Sequence, residues 1–321
     1  MAAEGGSSRP AGGGARWRVA LSLAIGLGFV ALVEWYVGWS GLLAVWRELP
    51  PGPLAGATLL MLASHVARGL RVHDYFGQAV AGERSACLRL VLQHNLMNNL
   101  LPMRSGELAF PVLMARRFGV PAQHSVPGLL WFRLLDLHAL VLLAAPVLAL
   151  ALPLPLLVPA LALWLLVPWT AWRGMQRSAG AWRAPSGRLA HLLVRVHAGL
   201  PQSARVFWRA QGWTLLTWGV KLSALVGLLQ ALAPLSLAWA VPGALGGELT
   251  SVLPIHGVAG FGSYEAGVVA AALPSGVDPA TLLGAAVNLH LFILGVTLIA
   301  GGLAFVPGRA RAGGPGDGGT S

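Results

Sequence analysis

The chain has a single cysteine, Cys87, in 321 residues, so no intramolecular disulfide can form and a disulfide-framed scaffold is excluded. Charge is scarce too. Only 10% of residues are Asp, Glu, Lys or Arg, far below the ~25% of a soluble globular domain. No H-E-x-x-H pair, Asp-rich pair or Cys/His cluster occurs, so the sequence carries none of the usual signatures of a metal-dependent enzyme, and no cofactor is expected. Nor is there a basic, aromatic-interleaved surface domain to account for the net charge of +11, which argues against nucleic acid as a partner.

What is abundant is apolar surface. With 56% hydrophobic residues and a mean hydropathy of +0.68, the chain reads as an all-α polytopic membrane protein. The arginines lie between apolar runs, where they act as topology determinants facing anionic lipid. Tryptophans near span ends, among them Trp35, Trp39, Trp169, Trp172 and Trp208, suit an interfacial belt.

Taken in order, residues 1–15 form a Gly/Ser/Ala-rich tail. Arg16 and Arg18 then precede an apolar run with no A-x-A-like cleavage site after it, so a retained first helix is expected over about 19–38. A loop over 40–53 follows, then a helix over about 54–72 that ends at Arg68 and Arg71. Further helices are expected over about 127–151, 156–172, 211–233 and 280–306, giving about six spans. The 173–209 loop holds seven arginines and no acidic residue, which marks it as cytoplasmic; its Leu189–Leu200 stretch is amphipathic enough to lie on the membrane surface. Of the 22 basic residues, this arrangement leaves only Arg47 outside and only Arg104, Arg133 and Lys221 within the membrane. That asymmetry implies N-in, C-in topology, with a second tail over 307–321.

Two stretches are too polar and too broken to be simple spans. The first, QHNLMNNLLPMRSGEL over Gln93–Leu108, carries Asn95, Asn98, Asn99, Arg104 and Glu107 into the apolar interior. Pro102 ends its helix, Gly106 allows a sharp turn, and too few apolar residues remain before Arg116 to reach the other side. A re-entrant element over about 87–115 follows. Such backbone is tolerated at membrane depth only where protein buries it or water reaches it.

The second stretch lies within Pro234–Pro274 and contains ELTSVLPIHGVAGFGSYEAG. Leu100-Leu101-Pro102 matches Val252-Leu253-Pro254, with Arg104 and His256 each two residues past the proline. Glu107 and Glu265 each precede a later proline, Pro121 or Pro279, by 14 positions, and Asp136-Leu137-His138 answers Asn288-Leu289-His290. The halves, about 16–152 and 153–306, thus read as an inverted 3+3 repeat whose broken elements meet at one cavity, as in transporters.

The candidate site residues follow from this. Glu107 with Arg104 is either a functional charge pair or a structural clamp on the turn. Asn98 and Asn99 either bind a lipid phosphate or hydroxyl or cap the broken helix. Arg133 and Asp136, at i and i+3, share a helix face and can neutralise one another, while Arg133 can also take a phosphate bidentately. Lys221 needs a partner at mid-span, with Glu265, Glu107 or a lipid phosphate as the options. Glu265 is then its counter-ion or a proton carrier. His138 and His290 read as satisfied core histidines.

At Asn99–Glu107 (NLLPMRSGE), Arg133–Asp136 (RLLD) and Pro254 through Gly260-Phe261-Gly262-Ser263-Tyr264-Glu265 the chain resembles the lysylphosphatidylglycerol synthase transmembrane-region family. The resemblance spans about 16–306. It implies a flippase-like lipid translocase of the bacterial inner membrane, with re-entrant elements around a polar cavity. Two positions depart from the family's pattern: Phe132 stands where an acidic residue is common, and Phe110-Pro111 where a basic one is. Both bear on the headgroup. Only a Gly-rich tail follows Val306, so a stand-alone member without the synthase domain is expected, one that makes no aminoacyl lipid itself and works beside a separate lipid-synthesis enzyme. The expected partner is a membrane lipid with an anionic headgroup. The alternatives are an intramembrane lipid-modifying enzyme, with Glu107, Asp136 and Glu265 as acid and base, or a non-transporting scaffold.

Overall fold

The computed structural model describes residues 27–36, 38–101, 106–178, 194, 196–250 and 258–306. Residues 1–26, Val37, the 102–105, 179–193 and 251–257 segments, Arg195 and residues 307–321 lie outside the described residues. Arg104, His256, Pro102 and Pro254 are among them.

The described chain is helical. Helices α1 (Leu27–Tyr36) and α2 (Trp39–Glu48) meet at 74°. The bend falls beside Gly38, whose φ of +80° suits glycine, and the Trp39 N–H donates to the Glu34 carboxylate across it. The expected 40–53 loop is therefore largely helix. Its pattern WSGLLAVWRE is amphipathic, and Leu42 packs with Val33, Phe29 and Val287.

Helix α3 (Pro51–Phe76) follows, with Pro at its first position where the missing N–H costs nothing. Then come α4 (Arg84–Leu100) and α5 (Ala109–Phe118), and α6 (Ala122–Leu143) continued by α7 (Ala145–Ala151). The second half has α8 (Leu154–Ser178), α9 (Ala204–Leu232), α10 (Leu237–Thr250), α11 (Ser263–Ala272) and α12 (Pro279–Phe305). Ser203 caps α9 and Asp278 caps α12, each accepting a backbone N–H three residues on.

Among the described residues, four helices are long and apolar enough to cross a membrane: α6 with most of α7, α8, α9 and α12. A fifth joins them if the bent α1–α2 pair is one span. This makes the chain a multi-pass membrane protein but does not reach the six spans expected. The shortfall has a cause in α3. At 26 residues it is about 39 Å long, yet Ser64, His65, Arg68 and Arg71 lower its hydropathy, and of these Ser64, His65 and Arg71 are buried in protein.

Helices α3 and α9 lie against each other along their length at the centre of the molecule, with Ala57 and Met61 of α3 in the same core as Trp218, Leu222 and Leu225 of α9. Around them the chain repeats one order of elements: a long helix, a helical hairpin, a long helix. The first hairpin is α4/α5 and the second α10/α11. In the first, Gly106 returns so closely on α4 that a Cβ there would lie 2.4 Å from the Asn98 Cα. In the second, Gly246 and Gly267 face each other, and a Cβ on either would meet the other's carbonyl oxygen within 2.4 Å.

The end of the 173–209 loop is packed rather than laid on a surface. Tyr75 donates to the Gly199 carbonyl at 2.6 Å, Trp172 donates to that of Pro201, and Leu200 is buried with Trp131 and Phe207.

Candidate polar translocation site

A cavity opens where the two halves meet. From the first half, α3 contributes Ser64, His65 and Arg68, α4 contributes Asn95, Asn98 and Asn99, and α6 contributes Arg133 and Asp136. From the second, Trp218 and Lys221 of α9, Glu248 of α10, Ser263 and Tyr264 of α11, and His290 and Thr297 of α12 complete the wall. Its volume is about 180 Å³, enough for a headgroup with a few waters but not for acyl chains.

A chain of charges runs behind and into this wall. Arg71, 2% exposed, donates to Asp136 at 2.6 Å and to the Thr214 hydroxyl at 2.9 Å. Trp218 Nε1 donates to the same Asp136 oxygen at 3.0 Å. The other Asp136 oxygen takes Arg133 at 3.3 Å, and Arg133 reaches on to Glu107 at 2.5 Å. His94 stands 3.6 Å from the second Glu107 oxygen. So α3, α6 and the first hairpin are tied through alternating charges, in an interior where an uncompensated charge costs several kcal/mol.

The second half has its own ties. Lys221 Nζ bonds Glu248 at 2.7 Å. Glu265, fully buried, accepts from the Gly262 N–H at 2.8 Å and shares a 2.7 Å hydrogen bond with His290 Nδ1. It therefore caps the start of α11 by reaching back to the Gly262 N–H, and holds a histidine at the cavity wall.

Five of the nine residues singled out from sequence line one cavity: Asn98, Asn99, Arg133, Asp136 and Lys221. Glu107 and Glu265 stand one residue behind the wall, through Arg133 and His290. Arg104 and His256 lie outside the described residues. Two expectations are corrected. The carboxylate that holds Lys221 is Glu248, not Glu265, because Glu265 is taken up by its own helix end and by His290. Arg68 and Arg71 are not topology arginines at a helix end, because α3 runs on to Phe76 and carries them into the interior. Asp136 pairs with Arg133, as their spacing allows, and also with Arg71. His138 is a satisfied core histidine, bonded to the Trp164 carbonyl and to Gln211. His290 is buried and partnered too, but it also faces the cavity.

Arg68, Arg71 and Glu248 were missed. The signal available for the arginines was spacing: Arg68 stands four and three residues past Ser64 and His65, and Arg71 three further on, which places a polar stripe on one side of α3. Arg68 differs from every other cation at the site. Among the described residues it makes no hydrogen bond or salt bridge, and its guanidinium lies 5.9 Å from the Trp218 ring centroid.

The family model of the lysylphosphatidylglycerol synthase TM region matches residues 19–301. The chain belongs to this family. No curated protein matches it. In this member of the lysylphosphatidylglycerol synthase TM-region family, the matched span takes in every helix of both hairpins and the whole cavity. The family places the protein in a membrane-lipid synthesis or translocation context, and the geometry supplies a polar chamber with Arg68, Arg133 and Lys221 at its wall.

Proposed function

We propose that this protein moves a phosphate-bearing lipid between the leaflets of its membrane, carrying the headgroup through the cavity while the tails stay in lipid. The observation that carries this reading is Arg68: a guanidinium at the wall of an intramembrane cavity with no salt bridge among the described residues, because its nearest carboxylates, Asp136 and Glu248, are paired with Arg71, Arg133 and Lys221. An intramembrane cation is costly without a partner and marks a substrate path. A lipid phosphate meets the need, since the planar fork of arginine matches phosphate oxygens two at a time. Arg133 and Lys221 are each tied to a carboxylate that an entering phosphate replaces, so neither is left bare during transfer. Asn98 adds an acceptor suited to a headgroup hydroxyl or ammonium, with a buried amide oxygen that has no hydrogen-bond partner among the described residues.

The architecture we assign is six spans, with α3 as the sixth, plus two re-entrant hairpins in an inverted 3+3 repeat. Support comes from the recurring order of long helix, hairpin and long helix, and from a glutamate at the start of each returning arm, Glu107 before α5 and Glu265 in the first turn of α11. The arginine asymmetry supports N-in, C-in orientation, and the family supports the bacterial inner membrane. A phospholipid or a polyprenyl phosphate has the required chemistry, and a separate enzyme supplies it. Transfer rather than chemistry suits the carboxylates, because Glu107, Asp136, Glu248 and Glu265 are each already engaged by a cation or a histidine.

The test is movement of headgroup-labelled phosphatidylglycerol or polyprenyl phosphate in liposomes holding the purified protein, read by impermeant quenching. Protein-dependent exposure of inner-leaflet label is expected. Arg68→Ala should slow it by about tenfold or more, as loss of a desolvated charge contact of 1.5–3 kcal/mol implies. Recovery of chemically altered lipid would favour the enzyme reading, and no movement of either lipid would end this one.

A further inference from the structure

A second recess follows the same α4–α12 seam toward the arginine-rich side of the molecule. It is apolar where the cavity is polar, and larger, at about 450 Å³. Leu62 of α3, Leu88 and Leu92 of α4, and Val296, Ile299 and Leu303 of α12 form it, with Arg89 and Ser85 at the end nearest the start of α4. Ile299 and Leu303 are 68% and 67% exposed, so in a bilayer the recess opens to lipid.

We infer that this groove binds an acyl chain of an anionic phospholipid with its phosphate on Arg89, as the waiting position from which lipid enters the cavity. The entry role rests on the translocase reading above; the binding site does not.

Three observations point here. The walls offer a long apolar trough, which suits a hydrocarbon tail and no water-soluble ligand. At its mouth Arg89 donates a long 3.4 Å bond to the Val306 carbonyl and, among the described residues, has no salt bridge, so its charge is available to a phosphate. Lastly, the seam between groove and cavity is joined without any ion pair among the described residues. Gln93 donates to the Ala304 carbonyl at 2.9 Å, Asn99 to the Thr297 hydroxyl at 3.3 Å, and Gly301 lets α12 close onto Leu96, whose Cβ would lie 2.6 Å from a Cβ on that glycine. Parting it breaks neutral hydrogen bonds and leaves no charge bare, unlike the Lys221–Glu248 and Arg133–Glu107 contacts on other sides of the cavity.

The experiment uses the full chain in phosphatidylcholine vesicles containing phosphatidylglycerol with a photoreactive diazirine on its acyl chain. After irradiation, adducts are mapped by mass spectrometry. Enrichment is expected on Leu92, Ile299 and Leu303 over the lipid-facing Val158 and Leu163 of α8. Arg89→Gln should lower it by about fivefold, the size of one arginine–lipid contact near a surface. The same diazirine on diacylglycerol, which carries no phosphate, should show no dependence on Arg89. Equal labelling of α8, or labelling insensitive to Arg89→Gln, overturns the site.

For the entry role, Leu96→Cys with Gly301→Cys in a Cys87→Ala background is oxidised. A disulfide needs Cβ atoms about 3.5–4.5 Å apart, which a slight widening of the seam supplies. The locked protein should keep groove labelling and lose lipid movement, and reduction should restore it. Undiminished movement in the locked state overturns the entry role. A labelled groove in wild-type protein that moves no lipid leaves the binding site standing and overturns both the entry role and the translocase reading.

Discussion

Asp136 holds more of the interior together than any other side chain at the site. Its two oxygens take Arg71, Arg133 and the Trp218 indole, which come from three different helices. Asp136→Asn leaves the buried Arg71 without its counter-charge, and breaking a buried pair this way costs about 3–5 kcal/mol. We expect a large fall in thermal stability in detergent, or failure to accumulate folded protein. Glu107→Gln should behave differently, because Arg133 keeps its contact with Asp136: a folded protein with impaired lipid movement is expected. Arg133→Lys should fall between, since a point charge cannot reproduce a fork that reaches Glu107 and Asp136 together. Melting curves beside liposome transport for the three variants separate a structural charge from a working one; equal stability loss in all three would merge the roles. At this scale the sequence showed the polar residues that interrupt apolar runs, so Asn98, Asn99, Arg133 and Lys221 were legible. It could not show pairing. Lys221 sits 27 residues from Glu248 and 44 from Glu265, and spacing alone did not choose between them.

The hairpins were legible as elements because proline and glycine interrupt an apolar run at the place where polar residues cluster. Gly106 is required for close approach rather than for an unusual φ, as its contact with Asn98 shows. The bend at Gly38 was not legible, since a glycine near the end of an apolar run reads equally as the start of a loop. The length of α3 was also missed. Arginines at 68 and 71 look like a span end, and only the partners on α6 and α9 explain why the helix continues. The glycine crossing in the second hairpin gives a sharp prediction. Gly267→Val forces a side chain into the Gly246 backbone and Thr250, and overpacking of this kind costs about 1–3 kcal/mol or more. Gly219→Ala on α9 meets nothing within 4 Å and should be neutral or slightly stabilising, as Gly to Ala is in a helix interior. Parallel melting curves check the contrast, and an equal effect of the two changes would mean that the crossing is not tight.

For the whole molecule, orientation is testable through the lone thiol. Cys87 is fully buried, so it is a silent background and Cys87→Ala removes it with little exposed change. Cysteines at Ser40 and Ser178 should label from opposite sides with an impermeant reagent, Ser40 from outside. External labelling at Ser178 in intact cells would invert the topology. The design of α3 also bears on biogenesis. As a helix leaving the ribosome it carries two arginines that cost about 2.5–3.5 kcal/mol each at mid-membrane on insertion scales. Its relief lies downstream: Asp136 is 65 residues from Arg71, and Thr214 is 143. On the six-span reading proposed above, the third helix cannot settle across the bilayer when it is made. It is expected to wait at the interface or beside the insertion machinery until α6 arrives and α9 packs along it. Nascent chains truncated before Ala122 should leave α3 uninserted in a topology assay, and chains extended past α6 should restore it in the wild type but not in Asp136→Asn.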